Sequence, residues 1–285
     1  MTTLTNLNIH GSTFYVDVKK YKDIVTITDS TFHHMQNRNL DGLQVTNDME
    51  GRGKNLPVSN YIDRVTYIHH SYFTNRGCAG NSMDELASVV RGTNAVFTNC
   101  IFDSNGKGVL VGSGEYIDHD IDDEHLTAVF DYCVFRNCSR RNPMVQRGKA
   151  ILRNCLIENW GVPETFHEKS FGARASDHGT LEIYRTLFIQ RNFFKCLNKN
   201  IFSDMFRNSF PWHPGFMRGI TKDDHGTVYA EECYKNHWWI TLAGHHGSKM
   251  SKDEADELLE HLEEHTIRPC EAIAKKYGLM PPTSI

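Results

Sequence analysis

Two cations raise the question of chemistry. Lys107 stands in Asn105-Gly106-Lys107-Gly108-Val109-Leu110-Val111-Gly112-Ser113, and Arg141 opens Arg141-Asn142-Pro143-Met144-Val145-Gln146-Arg147-Gly148. Each precedes a short apolar stretch of strand character. An ammonium and a guanidinium overlooking one groove could hold negative charge on a ligand. Other groups suggest other chemistry. Asp118, Asp120, Asp122 and Asp123 crowd one segment, and glycoside hydrolysis needs two carboxylates about 5 to 9.5 Å apart. His261 and His265 are four residues apart, the spacing of one helix face, but no third ligand accompanies them, so a solvated polar face is expected. The eight cysteines contain no Cys-x-x-Cys pair, a poor pattern for zinc, and they read as free thiols.

Composition narrows the classes. The chain has 285 residues, is 39% hydrophobic and 11% aromatic, and carries a net charge of −4. That is enough apolar material for a core, with no global field to recruit nucleic acid or an anionic membrane. No run of about 18 apolar residues exists to span a bilayer. The opening Met-Thr-Thr-Leu-Thr-Asn-Leu-Asn lacks a basic region followed by an apolar one, so no signal peptide is read there.

The elements that must position the two cations come from a repeat. A six-residue phrase runs apolar, two variable, small, variable, then Phe or Ile, as in Phe97-Thr98-Asn99-Cys100-Ile101-Phe102. It occurs at residues 9–14, 27–32, 68–73, 97–102, 130–135, 152–157 and 183–188. Strict alternation would put the first and last positions on opposite faces. Both being apolar implies a bend near the third and fourth positions, where Asp29, Asn99 and Asn154 tolerate left-handed backbone. Strand, bend, strand, repeated at a minimum of about 20 residues, predicts the coils of a parallel β-helix. A β-sandwich with a coincidental motif is the alternative. In the helix, Ser, Cys and Thr at the fourth position would stack as an internal ladder, with Cys100, Cys133 and Cys155 as small core fillers.

The phrase fades after Asn200, so a β-helix domain is expected over 1–200 and a C-terminal extension over 201–285. Residues 202–247, rich in Trp, His, Pro and Gly, read as irregular structure with some strand. Ser251-Lys252-Asp253-Glu254 is a helix-capping signature, and Ala255, Leu258, Leu259, Leu262, Thr266 and Ile267 follow at helical spacing. This amphipathic helix should cover a side or an end of the coil, because open sheet edges invite aggregation. The fold class expected is all-β, a right-handed parallel β-helix with an irregular C-terminal extension and a C-terminal α-helix.

Three segments resemble the pectate lyase family of polysaccharide lyases, over roughly residues 24 to 161. They are Tyr61-Ile62-Asp63-Arg64-Val65-Thr66-Tyr67, the acidic stretch Met83-Asp84-Glu85-Leu86-Ala87-Ser88-Val89-Val90-Arg91-Gly92, and Lys107 to Ser113 followed by Arg141-x-Pro143. The resemblance implies β-elimination on a uronate polysaccharide, with charge developing on a sugar carboxylate that the site must stabilise. Arg141 falls on the family's proton-abstracting arginine and Lys107 on its substrate-carboxylate lysine. Calcium is the implied cofactor, with Asp84, Asp48, Glu85 and Ser88 as the implied ligands. Arg147, Gln146 and Arg91 are the implied substrate-binding residues.

Two positions depart from the family. Ser88 stands where a second Asp is usual. Gln146 stands where a second Arg is usual, with Arg147 displaced by one residue, which in a strand turns it to the other face. The implied partner is an acidic polysaccharide, with no nucleic acid and no membrane. Such a substrate implies action outside cells, secreted or phage-associated. Two other readings stay open. One is a non-catalytic carbohydrate-binding β-helix (a phage tail or adhesin component) in which Trp160, Trp212, Trp238 and Trp239 stack on sugar rings. The other is a β-helix hydrolase using the acidic segment.

Overall fold

The computed structural model describes residues 1–33, 41–49, 58, 61–76, 84–112, 119–161, 170–191 and 217–279. Among the described residues, three parallel sheets of eight strands each run from Thr2 to Leu242. The first sheet begins at Thr2–Thr5 and ends at Thr227–Glu231; the second runs from Asn8–His10 to Tyr234–Lys235; the third runs from Phe14–Asp17 to Thr241–Leu242. Successive strands of one sheet come from successive coils, the arrangement of a right-handed parallel β-helix.

The six-residue phrase is the corner between the first and second sheets. In its fourth copy, strand Asn94–Thr98 ends, Asn99 turns left-handed at φ 51°, Cys100 follows, and Ile101–Asp103 begins the second sheet. His70, Tyr132, Asn154 and Arg185 take the same conformation, at φ 44°, 51°, 53° and 46°. The small fourth residue is chosen by a hydrogen bond. Ser30 Oγ, Ser71 Oγ and Thr186 Oγ1 donate to the carbonyl two residues back at 2.8, 3.0 and 3.1 Å, and the Cys155 thiol does so at 3.2 Å. That carbonyl also accepts the backbone N–H of the left-handed residue in the neighbouring coil (Asn6 to Thr28 at 3.1 Å, Asp29 to His69 at 3.2 Å), so the short donor fills its second lone pair at the bend without adding bulk. The sixth position forms an aromatic column, with Phe32, Phe73, Phe102 and Phe135 stacked at 4.7, 4.8 and 4.9 Å between centroids.

Two corrections concern the repeat. The copy expected at residues 9–14 is out of register. Ile9 pairs with Phe32, and it is Leu4 that pairs with Ile27, with Asn6 as the left-handed residue at φ 56°. An eighth corner also exists. Ala230 pairs with Ile183, Glu232 turns at φ 48°, and Cys233 follows. Strands Arg218–Lys222, Thr227–Glu231, Tyr234–Lys235 and Thr241–Leu242 thus carry all three sheets past residue 200. What ends near Asn200 is the apolar spelling of the phrase, not the coil.

Helix α1 is His119–His125, α2 is Lys252–Leu262 and α3 is Arg268–Lys276. Ser251 and Glu254 form the expected capping box on α2. A π-helical turn, Glu263–Ile267, joins α2 to α3. Pro269 has no N–H to give the carbonyl one turn back, which accounts for the widened turn. The α2–α3 face of Ala255, Leu258, Leu262, Ile267, Cys270 and Ala274 packs on Tyr72, Ile101, Val134, Leu156 and Leu187. Those five are the outward side chains of the second sheet, so the fifth position of the phrase is apolar because a helix covers it. The helices thus cover a side of the coil. His261 and His265 are exposed with their rings 4.4 Å apart, His261 at the rim of the docked face against the Tyr132 ring at 4.6 Å.

Candidate active site

The corner between the second and third sheets stacks the charges. Asp41, Glu85 and Lys107 each stand two residues before a strand of the third sheet, and Arg141 stands three before. Parallel coils therefore place them in one column, about 4.8 Å apart per coil, acids first and cations after. Lys107 forms a parallel bridge with Arg140, whereas three residues later Leu110 pairs with Met144. One extra residue is accommodated between those pairings, as in a β-bulge. Arg141 sits there in left-handed backbone at φ 64°. A Cβ on Gly108 would lie 2.4 Å from the Arg141 carbonyl oxygen, so glycine is required where the two loops meet.

Lys107 Nζ donates to Asp84 and lies 3.7 Å from Glu85 Oε1, while an Arg141 guanidinium nitrogen donates to the same Glu85 oxygen. The two cations, 34 positions apart, thus meet on one carboxylate. Arg141 is 18% exposed and Glu85 is 3% exposed at their side chains. The Arg141 Nε is buried with no hydrogen-bond partner among the described residues. Glu85 is pushed up to about 8 by burial first; Arg141 and Lys107 pull it down, while Asp41 and Asp84 push it further up.

Asp41 completes the acidic group. Carboxylate oxygens of Asp41, Asp84 and Glu85 all lie within 4.8 Å of one another, a set of hard oxygen donors suited to calcium. Asp41 also accepts from the Glu85 backbone N–H at 3.1 Å and from Gln44 Nε2 at 3.2 Å. Ser88 points its hydroxyl at Asp41 and accepts from Gln44 at 3.0 Å. It therefore positions an acid and stands one residue removed from the oxygen cluster.

Several expected site residues lie elsewhere. Asp48 follows the strand Leu43–Thr46, whereas Asp41 precedes it. Asp48 is paired with Lys19 at 3.1 Å and takes no part in the cluster. The sequence reading placed the acid at the wrong end of this strand. The common offset of Glu85 and Lys107 from their strands was the signal that would have found Asp41. Arg91 is fully buried, its Nε giving a 2.9 Å hydrogen bond to the Asn47 carbonyl, so it cannot meet a polymer. Arg147 and Gln146 stand beyond the strand Met144–Val145, at the opposite end from Arg141. Arg147 is held by Asp123 at 2.7 Å, and the Gln146 N–H donates to Val111 at 2.9 Å. These contacts lie on the far side of the two-residue strand, away from the Glu85 carboxylate that Arg141 meets.

The acidic segment is used structurally. Asp122 is buried and accepts from the Gly92 N–H at 2.7 Å, and Asp123 holds Arg147. Asp118 and Trp212 lie outside the described residues. Trp160 is buried in the core and Trp239 stacks on His237 at 4.8 Å, while Trp238 is 87% exposed.

No family model and no curated protein sequence matches the chain. Solved structures do. An arginine-to-lysine mutant of the Bacillus subtilis pectate lyase superposes with a TM-score of 0.61 at 13% identity, covering 93% of this chain and 66% of that one. A pectate lyase bound to a hexasaccharide gives 0.61 at 14% identity, again over 93% and 66%. A Bacillus species pectate lyase in complex with trigalacturonate gives 0.57 at 12% identity, over 93% and 75%. The chain thus spans 66% of the length of the first two. At such identities the likeness is one of architecture: this chain has the right-handed parallel β-helix fold of the pectate lyases.

Proposed function

We propose that the protein is a polysaccharide lyase that cleaves a uronate-containing polymer by β-elimination. The observation that carries this reading is the meeting of Lys107 and Arg141 on Glu85 at one corner of the coil. In the reaction, the proton α to the sugar carboxylate passes to the base. Its electron pair forms the new C=C bond, the glycosidic C–O bond β to the carboxylate breaks, and the departing oxygen takes up a proton. Arg141 is the base and Lys107 holds the sugar carboxylate, whose charge grows as the proton leaves.

Asp41, Asp84 and Glu85 would hold calcium. When bound, the ion supplies positive charge against the developing negative charge on the substrate. Lys107 and Arg141 engage two of these carboxylates, so ion and cations compete for the same oxygens.

The test is ultraviolet absorbance of unsaturated product from polygalacturonate at several pH values, with added calcium or chelator. Absorbance that grows with enzyme and vanishes in Arg141→Ala supports elimination; reducing ends without that absorbance would mean hydrolysis. The exposed Trp238 favours one competing reading, a carbohydrate-binding module, which binding without turnover would support. A polymer of this kind lies outside cells, so action there, secreted or phage-associated, follows from the same proposal.

A further inference from the structure

The cations at this corner and just beyond its strand are not all engaged. Lys107 is held by Asp84 and Glu85, Arg141 by Glu85, and Arg147, beyond the strand, by Asp123. Arg140 alone among them has no hydrogen bond or ion pair among the described residues, and its side chain is half-buried. Its backbone is fixed by two neighbours: its carbonyl accepts from Gly108 N–H at 2.9 Å, and the Arg141 carbonyl next to it accepts from Val109 N–H at 2.6 Å. The parallel bridge between Lys107 and Arg140 places these residues side by side on one face of the sheet, their backbones about 4.8 Å apart.

From this geometry we infer that Arg140 recognises a second carboxylate of the substrate, on a uronate unit next to the one held by Lys107. The inference rests on the site assigned above and names the residue of this chain that would meet the unit next to the reacting one. Two considerations carry it. First, a half-buried guanidinium without a partner among the described residues has already lost part of its hydration, so an incoming carboxylate supplies fixed, forked hydrogen bonds at low further desolvation cost. Lys107 and Arg141 must instead give up a protein carboxylate before meeting a ligand. Second, the ion pair that holds Arg147 leaves Arg140 as the cation closest in sequence to Arg141 that is open to an anion.

The electrostatics agree. Burial lowers the proton affinity of Arg140 and the like charge of Arg141 lowers it further, while Glu85 and Asp84 oppose the change. An anion settling on Arg140 relieves that repulsion. Arg140 is thereby a specificity residue: it acts on binding of the neighbouring unit and not on proton transfer.

Binding of trigalacturonate and of its fully methyl-esterified form is measured by calorimetry for the wild-type chain, Arg140→Gln and Arg140→Lys. Product absorbance is followed in parallel, and thermal melting confirms that each variant folds. In Arg140→Gln, affinity for the free acid should fall about 10- to 100-fold, the loss of one charged hydrogen-bonding partner, with KM rising and kcat changed by less than about threefold. Arg140→Lys should recover part of the affinity, and the ester should not distinguish wild type from Arg140→Gln. Wild-type binding without turnover, lost in Arg140→Gln, would keep the role of Arg140 and remove the lyase reading. Turnover with trigalacturonate affinity unchanged in Arg140→Gln would remove Arg140 and keep the lyase. Failure of the wild-type chain to bind trigalacturonate at all would overturn the assignment of Arg140.

Discussion

At the scale of single residues, the site is a balance of charge in which each member is defined by what opposes it. Arg141 meets Glu85 in a position reached only through left-handed backbone. Replacing it with Ala removes the proposed base and should abolish unsaturated product, while the melting temperature shows the coil intact; product formation near the wild-type rate would end its assignment as base. Asp41 tests the metal cluster separately. Asp41→Asn keeps the shape but removes a charged hard donor, so calcium affinity measured by calorimetry should fall at least about tenfold. Unchanged affinity would place calcium elsewhere or nowhere. Arg141, Lys107, Asp84 and Glu85 were legible in the sequence because three short stretches spell them. Asp41 was not, because no neighbouring motif marks it; only its offset from a strand does. Arg140 was hidden beside Arg141, since a pair of adjacent arginines does not say which of them is engaged.

At the scale of elements, the C-terminal helices are joined to the coil by charge as well as by apolar contact. Asp103 is fully buried at the end of strand Ile101–Asp103 and meets Arg76 at 3.0 Å and Arg136 at 3.2 Å. Arg136 in turn reaches Glu271 of α3 at 2.7 Å. Burial alone would raise the Asp103 carboxyl, but Arg136 and Arg76 outweigh it and hold it below the usual carboxylate range. A depressed acid contributes stability that is complete above its unfolded value of about 3.9 and is lost as pH falls through its lower folded value. Denaturant melts between pH 6 and pH 2 should show this loss, and Asp103→Asn should be destabilised at pH 6, by about 3 to 5 kcal/mol, with a flatter acid limb. An acid limb as steep as that of the wild type would assign the loss to other carboxylates. The cap is a smaller contributor: Ser251→Ala should cost about 1 kcal/mol in the same melts. The helix itself was legible from its capping signature and spacing. Its docking face on the coil was also written, in the apolar fifth position of the phrase, which reads as variable until the covering helix is seen.

At the scale of the whole molecule, a stacked coil distributes its stability along the axis, because each turn contacts chiefly its neighbours. Phe102 lies in mid-column between Phe73 and Phe135, so Phe102→Ala should cost about 3 to 5 kcal/mol, whereas Trp238→Ala at the exposed surface should fall within about 0.5 kcal/mol. Equal melting curves for the two variants would mean that the column is not the core. The sequence by itself determined the coil, because one corner needs the same things each time it is built: a left-handed residue, a small hydrogen-bond donor and an aromatic facing inward. It also determined that Lys107 and Arg141 belong to consecutive coils. Only the tertiary structure decided which strand end each charge occupies. Period-two strands and variable loops leave that offset free in the letters, and stacking fixes it in space. That is why Asp48, Arg91 and Arg147 fell away from the site while Asp41 and Arg140 entered it.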